Sequence, residues 1–235
     1  MKRIALFLAL IALLALFLLG FETTRTLDLS ADGLQTLNIT AGAGSLTVIG
    51  REGLGSIEVK AEIIVSGVDD GDRDDYIKRH VELDLRRSGN RAILVSRVRE
   101  SGLSFFFHDS RIDLTVTVPK TMALEIGDSS GSLDVENIAG AVRIDDGSGS
   151  IAVRDVEGNL DIEDGSGEID VADVAGDVSV DDGSGGISLR RIGGSVTVRD
   201  GSGGIEIDVV EKDVRLIRTG SGGVDVTNVK GRVIR

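Results

Sequence analysis

The sequence predicts an all-β fold: a parallel β-solenoid with 18-residue, two-strand coils, preceded by less regular β-structure. Three observations carry this. Ser-Gly pairs recur at Ser130-Gly131, Ser148-Gly149, Ser166-Gly167, Ser184-Gly185, Ser202-Gly203 and Ser221-Gly222, in steps of 18, 18, 18, 18 and 19 residues. Aliphatic columns keep the same step, one running Leu133, Ile151, Ile169, Ile187, Ile205, Val224 and another Val142, Leu160, Val178, Val196, Val214, Val233. Within each unit apolar and polar residues alternate, as in Leu133-Asp134-Val135 and Val142-Arg143-Ile144, the period-2 mark of a half-buried strand.

One unit cannot bury its apolar face alone. Units stacked about 4.8 Å apart turn each column into a continuous ladder, and parallel crossovers favour right-handed winding. A hexapeptide helix needs an aliphatic every six residues, whereas the spacing here is 2, 3, 4 and 2. Calcium β-rolls leave one aliphatic per half-coil. This repeat has three in one half and two in the other, so its core is expected to close without metal.

The elements follow in chain order. Met1-Lys2-Arg3 precedes an uncharged apolar run, Ile4 to Leu19, so residues 1–21 read as a signal peptide or an N-terminal signal anchor. Lys2 and Arg3 stay cytoplasmic by the positive-inside preference, which sends the remainder outward to the periplasm or cell surface. Residues 22–126 read as irregular first coils and a cap. Strands are expected around Thr36–Ile39, Ser45–Val48, Ser56–Val59, Val81–Leu85, Ala92–Val98 and Ile112–Val116, and the acidic start of Asp72–His80 suits a short helix. Gly44-Ser45-Leu46-Thr47-Val48 is similar to the start of a repeat unit, and Pro119, the single proline, marks the joint to the regular coils of residues 127–235.

Irregular β-structure ending in Val118-Pro119-Lys120, then reiterated Ser-Gly-x-aliphatic-x-aliphatic units behind an export signal, resembles the putative-adhesin β-strand-repeat family of bacterial envelope proteins. The resemblance covers about residues 26–235. It implies the fold and an envelope location, and it brings no catalytic residues, because the family's function is unknown. The even 18-residue spacing and the acidic turn depart from the family pattern.

Composition narrows the chemistry. With 26 Lys+Arg against 39 Asp+Glu the net charge is −13, which excludes a basic nucleic-acid footprint. The absence of cysteine excludes disulfides, thiolate zinc sites and a cysteine nucleophile. Asp128, Asp146, Asp164, Asp182 and Asp200 stand one per coil before the Ser-Gly turn, with Asp145, Glu163 and Asp181 preceding three of them. The first reading of this ladder is an Asx-type turn, each carboxylate facing water and accepting N–H bonds from the next Ser or Gly. The second is Ca²⁺ bridging neighbouring carboxylates.

The serines of the turns lack a base, since the two histidines, His80 and His108, lie outside the regular coils; small hydroxyls packing a tight turn is the expected role. His80 and His108 have no metal-ligand spacing. Phe105-Phe106-Phe107 concentrates the exported part's aromatic residues, either as a cap on the core or as a contact for a partner. The repeats hold 22 acids, 11 bases and no aromatic ring, a poor lining for a cleft that acts on acidic polysaccharides.

These readings converge on an exported, non-enzymatic interaction or adhesin-like module without cofactor. Outward positions such as Asp134, Arg154, Asp170 and Glu206 would define its binding surface. The partner is an unidentified envelope or surface component, no nucleic acid is expected, and membrane contact runs only through an uncleaved leader. A scaffold built by end-to-end self-association is the alternative.

Overall fold

A computed structural model describes residues 21–69, 71–99 and 110–235. The leader through Gly20 and the Phe105–Phe107 tripeptide with His108 lie outside the described residues. In chain order the irregular half contains β1 (Phe21–Ser30), β2 (Thr36–Ala41), β3 (Leu46–Arg51), β4 (Ser56–Val65), α1 (Arg73–His80), β5 (Val81–Ser88), β6 (Arg91–Val98) and β7 (Ser110–Pro119). The regular half runs β8 (Ala123–Asp128), β9 (Gly131–Ile138), β10 (Val142–Asp146), β11 (Gly149–Val156), β12 (Leu160–Asp164), β13 (Gly167–Val174) and β14 (Val178–Asp182). It ends with β15 (Gly185–Ile192), β16 (Val196–Asp200), β17 (Ile205–Val210), β18 (Val214–Thr219), β19 (Val224–Val229) and β20 (Val233–Ile234). From β9 to β16 the regular half alternates a strand of eight residues with one of five.

The strands form two ten-stranded sheets among the described residues. The first has the order β1-β4-β7-β3-β9-β11-β13-β15-β17-β19 and the second β20-β18-β16-β14-β12-β10-β8-β2-β6-β5. From β3 and β2 onward every pairing is parallel, and in the even coils the register is the repeat itself: Ile151 lies beside Ile169 and Ile162 beside Val180. The expected ladders are therefore the two inner faces. Leu133, Ile151, Ile169, Ile187 and Ile205 are at most 2% exposed, and Val142, Leu160, Val178, Val196 and Val214 are equally buried. Burial of each such side chain is worth about 1.5–3 kcal/mol.

The stray repeat-like motif of the first half is a coil of the same solenoid. β2 pairs with β8 and β3 with β9, placing Leu46 beside Leu133 and Val48 beside Val135. Residues 52–122 leave this coil, build β4 to β7 on its far side and return through Pro119. There β1 and β4 pair antiparallel, as do β4 with β7 and β5 with β6. The helix is where the sequence places it, with Asp74 and Asp75 in its first turn and Tyr76 and Ile77 buried.

The corner between the two sheets explains the spacing of three between Val135 and Ile138. Asn137, Asp155, Asp173, Arg191, Val209 and Asn228 all have φ between 52° and 61°, a left-handed residue that bends each long strand. Asparagine and aspartate adopt this conformation at low cost; valine does not. The opposite turn needs glycine: a Cβ on Gly149, whose φ is 138°, would lie 1.7 Å from the Gly131 carbonyl oxygen.

The single 19-residue step has its own structural outcome. Val198 pairs with Leu216 but Arg199 pairs with Arg218, so Ile217 is the extra residue of a β-bulge. It is 47% exposed, against 4% for its neighbour Leu216.

Candidate functional site

The aspartate ladder is the most unusual chemical feature of the coils. In β10 the inward positions are Val142, Ile144 and Asp146, with Arg143 and Asp145 outward. Parity thus aims the third inward side chain of each short strand at the interior. Asp128, Asp146, Asp164, Asp182 and Asp200 are 7%, 3%, 6%, 3% and 1% exposed. The expectation that these carboxylates face water is overturned: they continue the aliphatic ladders as a column inside the turn, because position 146 has the same parity as 142 and 144. The signal was present in the alternation and is masked by the polar character of the residue.

The turn chemistry of the first reading is there in part. The Ser166 backbone N–H donates to Asp164 Oδ1 at 3.2 Å and that of Ser184 to Asp182 Oδ1 at 3.1 Å. The second oxygens, Oδ2 of Asp164 and Asp182, are buried without a hydrogen-bond partner, as are both oxygens of Asp128, Asp146 and Asp200. Backbone carbonyls nearby are already engaged: Asp146 O accepts from Gly165 N–H and Ser166 O from Gly149 N–H.

Five in-register carboxyls therefore sit in a poorly solvated column, Asp146 beside Asp164 and Asp164 beside Asp182. Burial, reinforced by the neighbouring Asp146, pushes the Asp128 carboxyl up to about 7. Burial and then Asp164 push Asp182 up to about 6. Burial also raises Asp146, Asp164 and Asp200, while the positive charge of Arg218 draws Asp200 part of the way back. Such a column takes up protons where solvated aspartates would release them. A shallow hollow lined by Asp145, Asp146, Glu163, Asp164, Gly165 and Asp181 lies over it. These carboxylates are the donors a cation would use, yet among the described residues no group of three or more His, Cys, Asp or Glu converges on one point.

The remaining candidates are occupied in other ways. His80 Nδ1 lies 2.8 Å from the Arg99 carbonyl oxygen and its ring stacks on Tyr76 with centroids 4.4 Å apart. The turn serines contribute backbone groups to the inter-coil bonding, Ser184 O accepting from Gly167 N–H and Ser202 O from Gly185 N–H. Asp134, Arg154, Asp170 and Glu206 all stand on the outer face of the first sheet. Asp170 is shared there by Arg190 at 2.6 Å and Arg154 at 3.4 Å. On the second sheet Arg143 bridges Asp161 and Glu163 of the next coil. These surface ion pairs, of which Arg190–Asp170 is half-buried and the others exposed, are worth about 0–1 kcal/mol each.

No helix among the described residues is long and apolar enough to cross a membrane. A family model described as Toastrack DUF4097 matches residues 58–234. None of the curated proteins matches the chain. Solved structures similar to it include a putative cell adhesion protein from Clostridium sporogenes, 11% identical with a TM-score of 0.39, covering 91% of this chain and 99% of that one. Two others are from Parabacteroides distasonis. A putative adhesin is 11% identical with a TM-score of 0.37, covering 91% and 96%. A putative lipid binding protein is 12% identical with a TM-score of 0.35, covering 92% and 95%. Scores this low carry no functional argument.

Proposed function

The chain belongs to the Toastrack DUF4097 family, and from that premise we propose that it works as an extracytoplasmic, non-catalytic, adhesin-like interaction module. One observation carries the reading: what changes from coil to coil stands outward, and what could react stands inward. At the outward positions the residue changes along the coils, as in Asp134, Ala152, Asp170, Ser188 and Glu206, whereas the inward carboxyl is kept in five successive coils, Asp128 to Asp200, and buried there. A surface that differs along a rigid rod suits recognition, and carboxyls turned into the interior, away from any substrate, suit no hydrolytic mechanism. The apolar leader supports export, and Phe105–Phe107 remains a proposed partner contact.

The test is binding of the labelled chain to envelope fractions and intact cells. Replacing Asp134, Arg154, Asp170 and Glu206 together is expected to weaken binding at least tenfold while leaving the circular dichroism melt unchanged. Unaltered binding in that variant, or turnover of an envelope polysaccharide by the purified chain, rejects the reading. The alternative scaffold built by end-to-end association predicts rods in electron micrographs that lengthen with concentration.

A further inference from the structure

The outer face of the second sheet is electrically divided along the solenoid axis. Its two outward positions per strand are Arg143 and Asp145 on β10, Asp161 and Glu163 on β12, Ser179 and Asp181 on β14, Thr197 and Arg199 on β16, and Arg215 and Arg218 on β18. Acids gather on β12 and β14, where Asp161 and Glu163 are bridged by Arg143 of β10, and cations on β16 and β18, in a chain whose net charge is −13. Arg199 and Arg218 stand directly opposite each other, a like-charge pairing that is unfavourable on a bare sheet. Among the described residues Arg199 forms one ion pair, with Asp181 at 3.7 Å. Beside this pair the bulge presents Ile217, one of two large hydrophobic residues exposed among the described residues. Bulges of this kind re-aim side chains at functional surfaces.

We propose that this face docks a second copy of the chain, the two solenoids lying side by side and antiparallel about a twofold axis that runs along the strand direction between β14 and β16. That rotation keeps each position along the strand and reverses the strand order. Arg199 then lies over the partner's Asp181, Arg218 over the partner's Glu163 and Arg215 over the partner's Asp161, and each contact occurs twice. Thr197 lies over the partner's Ser179. The register is specific, because moving the axis onto β14 sets Asp181 on itself and moving it onto β16 sets Arg199 on itself. A free anionic polymer fits less well: it would satisfy the arginines while meeting Asp161, Glu163 and Asp181 on the same face. The four strands β12 to β18, about five residues each, cover about 16 by 19 Å, or about 300 Å² per copy, well under half of what stable complexes bury. The pairing is accordingly weak, concentration-dependent and sensitive to salt.

Sedimentation velocity of the full chain over a concentration series, in 50 mM and 500 mM salt, tests this. Monomers that pair reversibly at high concentration in low salt are expected, with pairing lost in high salt. Glu163→Arg and Arg218→Glu should each weaken pairing at least tenfold, and the double swap should restore it; unchanged circular dichroism melts establish that each variant folds. The rescue reads this face alone, so association through the leader does not imitate it. A chain that stays monomeric throughout overturns the proposal, as do single variants that pair like the native chain or a double swap that fails to restore pairing. Assembly beyond two copies overturns it in favour of end-to-end association. A monomer that binds polyphosphate through Arg199 and Arg218 overturns it in favour of an anionic polymer.

Discussion

Inside the turn, each inward aspartate trades hydration for a place in the core, and the consequence is a pH dependence of defined sign. The folded state raises these carboxyls, Asp128 to about 7 and Asp182 to about 6, so it binds protons that the unfolded chain has released. Their contribution to stability is fully present below the ordinary carboxylate range and is lost as pH rises to about 7. Glu82, Asp173, Asp208 and Asp213 act oppositely: hydrogen bonds from Arg97, from Arg191, from Thr227 and from Arg232 hold them low, and their contribution disappears in stronger acid. The melting temperature should therefore peak near pH 4–5 and fall toward pH 8. Asp146→Asn, Asp164→Asn and Asp182→Asn together should flatten that fall and raise Tm at pH 8; equal destabilisation at both pH values would mean that the column is needed ionised. Val209, half-buried, is a second site of strain. It holds φ at 59° where the equivalent coils carry Asn137, Asp155, Asp173, Arg191 and Asn228. Val209→Asn should raise stability by about 1 kcal/mol in a urea titration.

At the level of strands and turns, close stacking decides which residues are replaceable. Gly167→Ala puts a Cβ 1.5 Å from the Gly149 carbonyl oxygen, whereas Gly186, one turn on, has nothing within 4 Å of the same added atom. The first substitution should lower the urea midpoint severely, by about 3 kcal/mol or more, and Gly186→Ala should change it by less than about 0.5 kcal/mol. Similar losses at both sites would contradict the stacking. Most of this was readable from spacing: the strand pairs, the ladders and α1 lie where the alternation and the Asp-rich start place them. Three features were not. β1, Phe-Glu-Thr-Thr-Arg-Thr-Leu-Asp-Leu-Ser, is an edge strand whose polar residues hide its period. The coil of β2 and β3 is a repeat unit separated from its neighbours by the excursion through β4 to β7, and only the Gly44–Val48 likeness hinted at it. The inward aspartates carry the right parity but the wrong polarity, so turn chemistry was the natural reading of them, and their burial emerges only when the coils are stacked.

For the whole molecule, the interior is continuous from β2 and β3 to the last coils, and its ladders include the carboxyl column as the polar end of each layer. A solenoid built this way leaves only its outside for recognition, which is why the proposed adhesin-like role and the proposed pairing both rest on outward residues. Whether the core closes without metal is the hinge of that account. Thermal unfolding of the full chain followed by far-UV circular dichroism, at pH 5 and pH 8 with millimolar Ca²⁺ or EDTA, tests it most directly. The account predicts a β spectrum with a higher midpoint at pH 5 than at pH 8 and no response to calcium or chelator at either pH. A midpoint at pH 8 that climbs with Ca²⁺ and drops with EDTA would contradict it and make the aspartate column a calcium site.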